Sequence, residues 1–190
     1  MVSHEKKVRI VFTTSHKPSS KLRTFIKELA ATIPFSIKIN RGKKTLNMLY
    51  LEALGMGAKN VVVGLERKGN PSGLVLYSVL EKPLGLRREV LVKISGVSLW
   101  REIADAVKPY NPSSIAILLS EEAMEIAEAL VKMFNAEPVF SEDEARDFDV
   151  LVRIVAKKNI YLVVFENPST RKVVGPIIKV SGVRFWLEKQ

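Results

Sequence analysis

The sequence predicts an α/β fold made of two duplicated, structurally similar halves. Three observations carry this expectation. Short β-branched apolar runs alternate with segments whose apolar residues recur every three or four positions. A strand, helix, strand series that opens the chain begins again near residue 115. Finally, Lys93-Ile94-Ser95-Gly96-Val97-Ser98-Leu99-Trp100 returns as Lys179-Val180-Ser181-Gly182-Val183-Arg184-Phe185-Trp186, at an offset of 86 residues. A weaker recurrence pairs Glu66 and Asn70-Pro71-Ser72 with Glu166 and Asn167-Pro168-Ser169, offset by 97 residues at Asn-Pro-Ser. Asn-Pro-Ser alone is ordinary turn chemistry. Two copies are too few for a solenoid.

The elements follow in order. The run 8–14 is apolar and β-branched, a buried strand. Ser19 or Ser20 caps a helix that runs to about residue 33, with Leu22, Phe25, Ile26, Leu29, Ala30 and Ile33 on one face. Lys21, Arg23, Thr24 and Lys27 fall on the other side, and Pro34 stops the helix. Residues 35–39 alternate as a strand with Lys38 outward, and Asn40-Arg41-Gly42 turns the chain. A second helix spans 44–56, with Leu46, Leu49, Tyr50 and Ala53 inward and Gly55-Met56-Gly57 at its end. Strands are expected at 60–65 and 74–80 around a loop at 67–73, and at 89–94 beyond a break at Pro83-Leu84-Gly85. Leu99, Ile103, Ala106 and Val107 suggest a connecting helix, and Tyr110-Asn111-Pro112-Ser113 marks the boundary between halves 1–110 and 111–190. In the second half, 115–119 is a strand. Ser120 caps a helix opening with Glu121 and Glu122, whose inner face is Ala123, Ile126, Ala127, Leu130, Val131 and Phe134. A short strand at 139–140 and an acidic helical turn at 141–147 follow, then strands at 150–155, 160–165 and 173–180.

Charge separates the halves. Residues 1–100 hold 18 Lys and Arg against 6 Asp and Glu, a balance of +12; residues 101–190 hold 12 against 14, a balance of −2. The whole excess of +10 therefore lies in the first half, which points to a polyanion partner met by that half. It concentrates at two expected helix starts, around 16–23 and 41–44, where unpaired amides and the helix dipole also favour phosphate. The candidate RNA-binding residues are His16, Lys17, Ser19, Ser20, Lys21, Arg23, Lys27, Arg41, Lys43 and Lys44. The second copy carries Glu121 and Glu122, and then Glu142-Asp143-Glu144, where the first has these cations, so the fold itself does not require them. Trp100 and Trp186 occupy equivalent repeat positions, which argues for packing rather than base stacking and favours recognition of RNA shape and backbone.

Other chemistry lacks its residues. There is no cysteine, hence no disulfide or thiolate site. Glutamine occurs only at Gln190, and the abundance of Lys, Arg and Glu gives a thermophile-like composition. No apolar run approaches the ~20 residues of a membrane span, and the first ten residues carry no apolar signal region, so a cytoplasmic chain is expected. Gly42-Lys43-Lys44-Thr45 ends like a phosphate-binding loop but lacks its first glycine. The two histidines, His4 and His16, have no fixed carboxylate beside them for zinc or a hydrolytic triad, and the acids of 142–149 lack calcium-loop spacing and read as a solvated face. No cofactor, metal or catalytic group is expected.

The segments FTTSHKPSSKLRTFIKEL, IPFSIKINRGKKTLNML and NVVVGLERKGNPSGL, with the later Ser-Gly-Val element, resemble the Brix domain, and the chain as a whole is similar to its compact archaeal members. The resemblance implies one Brix domain over 1–190, each half similar to the anticodon-binding domain of class II aminoacyl-tRNA synthetases. It also implies a non-enzymatic, monomeric factor of ribosome biogenesis, active in pre-rRNA processing and subunit assembly. Its expected partners are ribosomal RNA or pre-rRNA, with other assembly proteins besides. The alternative is a tRNA-binding or protein-interaction accessory module on the same fold.

Overall fold

A computed structural model describes residues 8–186, so His4 lies outside the described residues. The elements are β1 (Ile10–Thr14), α1 (Ser20–Thr32), β2 (Ser36–Lys38), α2 (Leu46–Gly55), β3 (Asn60–Arg67), β4 (Asn70–Glu81), β5 (Leu84–Ser98), β6 (Ile115–Leu118), α3 (Met124–Phe134), β7 (Glu137–Val139), β8 (Val150–Lys157), β9 (Ile160–Glu166) and β10 (Ile177–Phe185). Among the described residues the ten strands form one mixed sheet in the order β2-β1-β3-β4-β5-β10-β9-β8-β6-β7. β1 lies parallel between β2 and β3, and β3, β4 and β5 follow as antiparallel hairpins. β6 likewise lies parallel between β7 and β8, with β9 and β10 following antiparallel. The two series meet where β5 pairs antiparallel with β10, from Ser98 opposite Ile177 to Val90 opposite Phe185. Both Ser-Gly-Val elements lie on this ladder, and its register shifts fall around Val180.

Local rules explain these elements. β1 has neighbours on both sides and every residue buried, so its sequence is an apolar run closed by two threonines. α1 buries Leu22, Phe25, Ile26 and Leu29 at helical spacing. It lies so close to β3 that a Cβ at Gly64 would meet Ile26 Cδ1 at 2.7 Å, which explains a glycine inside that strand. α3 ends at Asn135, whose left-handed φ of 50° makes the C-cap.

α1 and α3 cover the same face of the sheet and share one apolar core. Phe134 of α3 lies 6.5 Å from Phe12 of β1 and 5.9 Å from Phe165 of β9, ring centre to ring centre. Side chains of the first half also satisfy backbone carbonyls of the second. Asn60 donates from Nδ2 to Lys132 O and Met133 O at the end of α3, at 2.9 and 3.2 Å. Thr32 Oγ1 lies 3.3 Å from Val174 O. On the opposite face, α2 covers Val11, Val61, Val63 and Tyr77 in the first half, and 141–148 covers Ala116, Val139 and Leu151 in the second.

Several expectations need correction. The loop at 67–73 is a two-residue turn, Lys68-Gly69, with φ of 51° and 76°, the left-handed pair that closes tight hairpins. The break at 83–85 is another tight hairpin. β5 runs for 15 residues because Leu86, Arg87 and Arg88 pair with β4, although the two arginines obscure a strand pattern. The connecting helix shrinks to a 3-10 turn at Trp100–Glu102, held by Glu102 accepting the Leu99 N–H at 2.8 Å. Ser120 makes no side-chain cap: a 3-10 turn at Glu121–Ala123 precedes α3. The short strand ends at Val139, residues 141–147 are turns, and the last strand begins at Ile177, with Val173 reduced to a single bridge with Glu166.

Phe134→Ala is expected to lower unfolding stability by about 3–5 kcal/mol, because a buried aromatic that touches both halves leaves a cavity neither can close. Urea unfolding measures this; a loss under about 1 kcal/mol would show that the halves do not depend on that ring.

Candidate nucleic-acid interface

The expected cations gather where β1 and β2 end. The chain leaves β1 through Ser15-His16-Lys17-Pro18 into α1, and leaves β2 through Ile39-Asn40-Arg41-Gly42 toward α2. These loops enclose an open concavity of ≈ 420 Å³, lined by Lys17, Arg23, Lys38 and Arg41 together with Thr14, Asn40 and others. Lys17 adopts a left-handed φ of 49°, and Gly42 one of 51°, so both loops turn sharply at its rim. Among the described residues none of these four cations forms an ion pair with a carboxylate.

Arg41 is the unusual member. It was expected in a turn, and there it is 8% exposed, with no hydrogen-bond partner for its Nε. Its NH2 group lies 3.2 Å from His16 Nε2, while His16 Nδ1 lies 3.1 Å from Gly42 O. A carbonyl only accepts and a guanidinium only donates, so both contacts are satisfied when His16 carries its proton on Nδ1 and accepts at Nε2. Burial lowers the proton affinity of Arg41 and nearby Tyr77 opposes the shift; the group stays a cation, since arginine is not deprotonated in proteins. A buried cation without a counter-charge is destabilising by several kcal/mol unless something compensates it.

The helix starts contribute less than expected. Ser19 caps α1 by accepting the Leu22 N–H at 3.2 Å and donates its own N–H to Glu66 Oε2 at 2.8 Å. Hydrogen bonds from the Ser19 hydroxyl and backbone, with Arg23 nearby, hold Glu66 below the ordinary glutamate range. These two amides are therefore taken, and cationic side chains rather than amides face the concavity. Ser20 opens α1 with an exposed side chain and a carbonyl that accepts from Thr24 Oγ1 at 3.0 Å. Lys21 is half-buried in the first turn; Lys27 is exposed further along α1, and neither lines the concavity. α2 starts later than expected, capped by Thr45. Lys43 is exposed outside the concavity, and Lys44 pairs with Glu52 at 2.6 Å. Lys38 was missed as a site residue. Its outward position on a short strand was legible, but its proximity to Lys17 and Arg23 arises only when β2 pairs with β1.

The second half uses its charges differently. Its acids, expected to be a solvated face, form a network: Glu142 pairs with Arg153 at 2.8 Å and with Arg171, and Glu166 pairs with both arginines. Glu142 is held below its ordinary range by Arg171 first and Arg153 second. Asp149 accepts from the Ser113 and Ser114 amides and hydroxyls at 2.7–3.2 Å, which lowers its pKa. Glu28 on α1 is buried and accepts the Trp100 N–H at 3.0 Å; burial raises its pKa against that bond. Trp100 and Trp186 are both half-buried. Among the described residues no helix is long and apolar enough to cross a membrane, and no group of three or more His, Cys, Asp or Glu could hold a metal ion.

No family model matches the chain. A "Probable Brix domain-containing ribosomal biogenesis protein" of Pyrobaculum aerophilum is 28% identical over 155 residues, covering 82% of this chain and 84% of the relative. A protein of the same description from Aeropyrum pernix is 37% identical over 127 residues, covering 65% and 70%. Among solved structures, a "probable ribosomal biogenesis protein from Aeropyrum pernix K1" matches with a TM-score of 0.78 at 31% identity, covering 92% of this chain and 96% of that one. Mil, an archaeal Imp4-like protein, shares the fold at a TM-score of 0.67 and 21% identity.

Since the Asp149 pKa is depressed in the folded state, its contribution to stability is present above the ordinary aspartate range and lost as pH falls through the lower folded value. Asp149→Asn is therefore expected to lower the melting temperature at neutral pH and to flatten its decline below about pH 3.9. Superimposable melting-temperature profiles for the two proteins would rule this out.

Proposed function

The chain belongs to the Brix domain-containing ribosomal biogenesis proteins, and from that premise we propose that it is a non-enzymatic factor that binds ribosomal RNA or pre-rRNA during processing and subunit assembly. The observation that carries this reading is the concavity at the ends of β1 and β2, where Lys17, Arg23, Lys38 and Arg41 meet without a carboxylate partner among the described residues. A cation buried as deeply as Arg41 gains a compensating charge when a phosphate docks beside it. Exposed Lys17, Lys43 and Arg23 extend the same surface toward neighbouring phosphates.

We read the chain as one Brix domain whose basic half, 1–110, grips RNA and whose acidic half, 111–190, supports it. The identical order of pairings in β1–β5 and β6–β10 supports a duplication, with each half akin to an anticodon-binding domain. In the second half Glu142, in the loop after β7 that matches the loop after β2, joins Arg153, Glu166 and Arg171 in a network that neutralises itself and leaves little charge for a polyanion. The protein acts as a cytoplasmic monomer in this reading, alongside other assembly proteins. One observation favours the protein-interaction alternative: α2 exposes Met48 at 53% and Leu51 at 64%.

Lys17→Glu, Arg23→Glu and Lys38→Glu together are expected to weaken binding to a transcribed rRNA fragment by about a hundredfold or more, and to flatten the salt slope of log affinity by about 2. A filter-binding salt titration reads both, with circular dichroism confirming the fold; unchanged affinity overturns this placement of the site. Crosslinking in cells followed by sequencing separates the RNA classes, and a predominance of tRNA reads would favour the accessory-module alternative.

A further inference from the structure

The sheet has a second array of cations, on the face away from α1 and α3, at the junction of the halves. Val90 and Val92 of β5, and Ile178 and Val180 of β10, belong to the core beneath those helices. Strand alternation turns Leu91, Lys93 and Lys179 to the outer face, and the register shifts beside Val90 and Val180 turn Arg88, opposite Tyr77, and Arg184, opposite Leu91, to the same face. The register brings them together: Arg184 lies opposite Leu91, Lys93 opposite Gly182, and Lys179 opposite Gly96. Arg88, Lys93, Lys179 and Arg184 are all exposed, and among the described residues none is paired with a carboxylate.

Aromatic rings organise one end of this array. The Arg88 and Arg184 guanidinium carbons lie 5.0 and 5.4 Å from the Trp186 ring centre, one supplied by each half. Arg88 also lies 5.9 Å from the Tyr77 ring, and Tyr77 is near enough to Arg41 to act on its charge. Arg88, Trp186 and Arg184 thus bridge the two halves on the outer face, and Lys93 and Lys179 lie further along the same ladder. Stacking on rings fixes the two guanidinium planes while leaving their N–H edges free to donate, which suits phosphate contact.

Resting on the RNA-binding reading above, we propose that the outer face of β5 and β10 is a second RNA-backbone surface. A strand held at the β1 and β2 ends continues along Arg88 and Arg184 to Lys93 and Lys179, so the footprint crosses from the first half onto the second. The cations come from both halves, although the second half has a net negative charge overall.

The test compares oligouridylates of about 8 and about 30 nucleotides, the shorter sized for one site and the longer for both. The proteins compared are wild type and Arg88→Ala/Lys93→Ala/Lys179→Ala/Arg184→Ala. The expected result is a salt slope for the long RNA shallower by about 3 in the variant, with near-equal binding of the short RNA. Lys93→Ala/Lys179→Ala alone, which disturbs no ring contact, is expected to give about half that change. Unchanged slope and affinity for the long RNA in both variants, while the Lys17, Arg23 and Lys38 variant loses it, overturn the second surface and leave the first standing. Absence of RNA binding by the wild type overturns both. Loss of polyglutamate binding with RNA binding retained marks the face as a site for acidic protein and also overturns the proposal.

Discussion

The antiparallel ladder between β5 and β10 is the constraint from which the rest of the molecule follows. It makes one sheet of two strand series that would otherwise expose a long edge each. Because the ladder continues the sheet, α1 and α3 fall on the same face and must share a core. Phe134 then packs with Phe12 of one half and Phe165 of the other. Asn60 and Thr32 satisfy carbonyls across the same boundary, so polar as well as apolar groups depend on the join.

Charge is arranged differently in the two halves. In the second half, Arg153 and Arg171 meet Glu142 and Glu166 in pairs that are internally balanced. Solvent screens pairs exposed to this degree, so the network orders a surface more than it holds the fold. In the first half the loops after β1 and β2 bring Lys17, Arg23, Lys38 and Arg41 together with no ion pair to a carboxylate among the described residues. Arg41 is the extreme case, because burial strips its water while His16 supplies only one neutral acceptor. A fold selected for stability alone gains nothing from that arrangement, whereas an anion-binding surface does.

Much of this was legible in the chain. The 3-4 spacing of Leu22, Phe25, Ile26 and Leu29 located α1, because helical burial is a local, periodic requirement. The Ser-Gly-Val recurrence located the junction of the halves, since it lies on the two strands that join them. The failures share a cause. β5 was read at less than half its length because Arg87 and Arg88 interrupt its apolar pattern before Glu89, and Ser95-Gly96 after Ile94, and only pairing with β4 and β10 keeps such residues extended. Of the apolar residues of the expected connecting helix only Leu99 is buried; Ile103 and Ala106 are half-buried and Val107 is exposed, so no continuous helical face is covered.

By itself the sequence determined most of the strands and the main helices, the repeated order of the two halves, the family and the concentration of positive charge before residue 100. These depend on local spacing and on counting, which a linear chain displays directly. Only the tertiary structure decided that Lys38 joins Lys17 and Arg23, that Arg41 is buried rather than exposed, and that Arg88 and Arg184 share Trp186. Those relations come from strand order and register, which bring together residues up to about a hundred positions apart, and no local pattern encodes such distances.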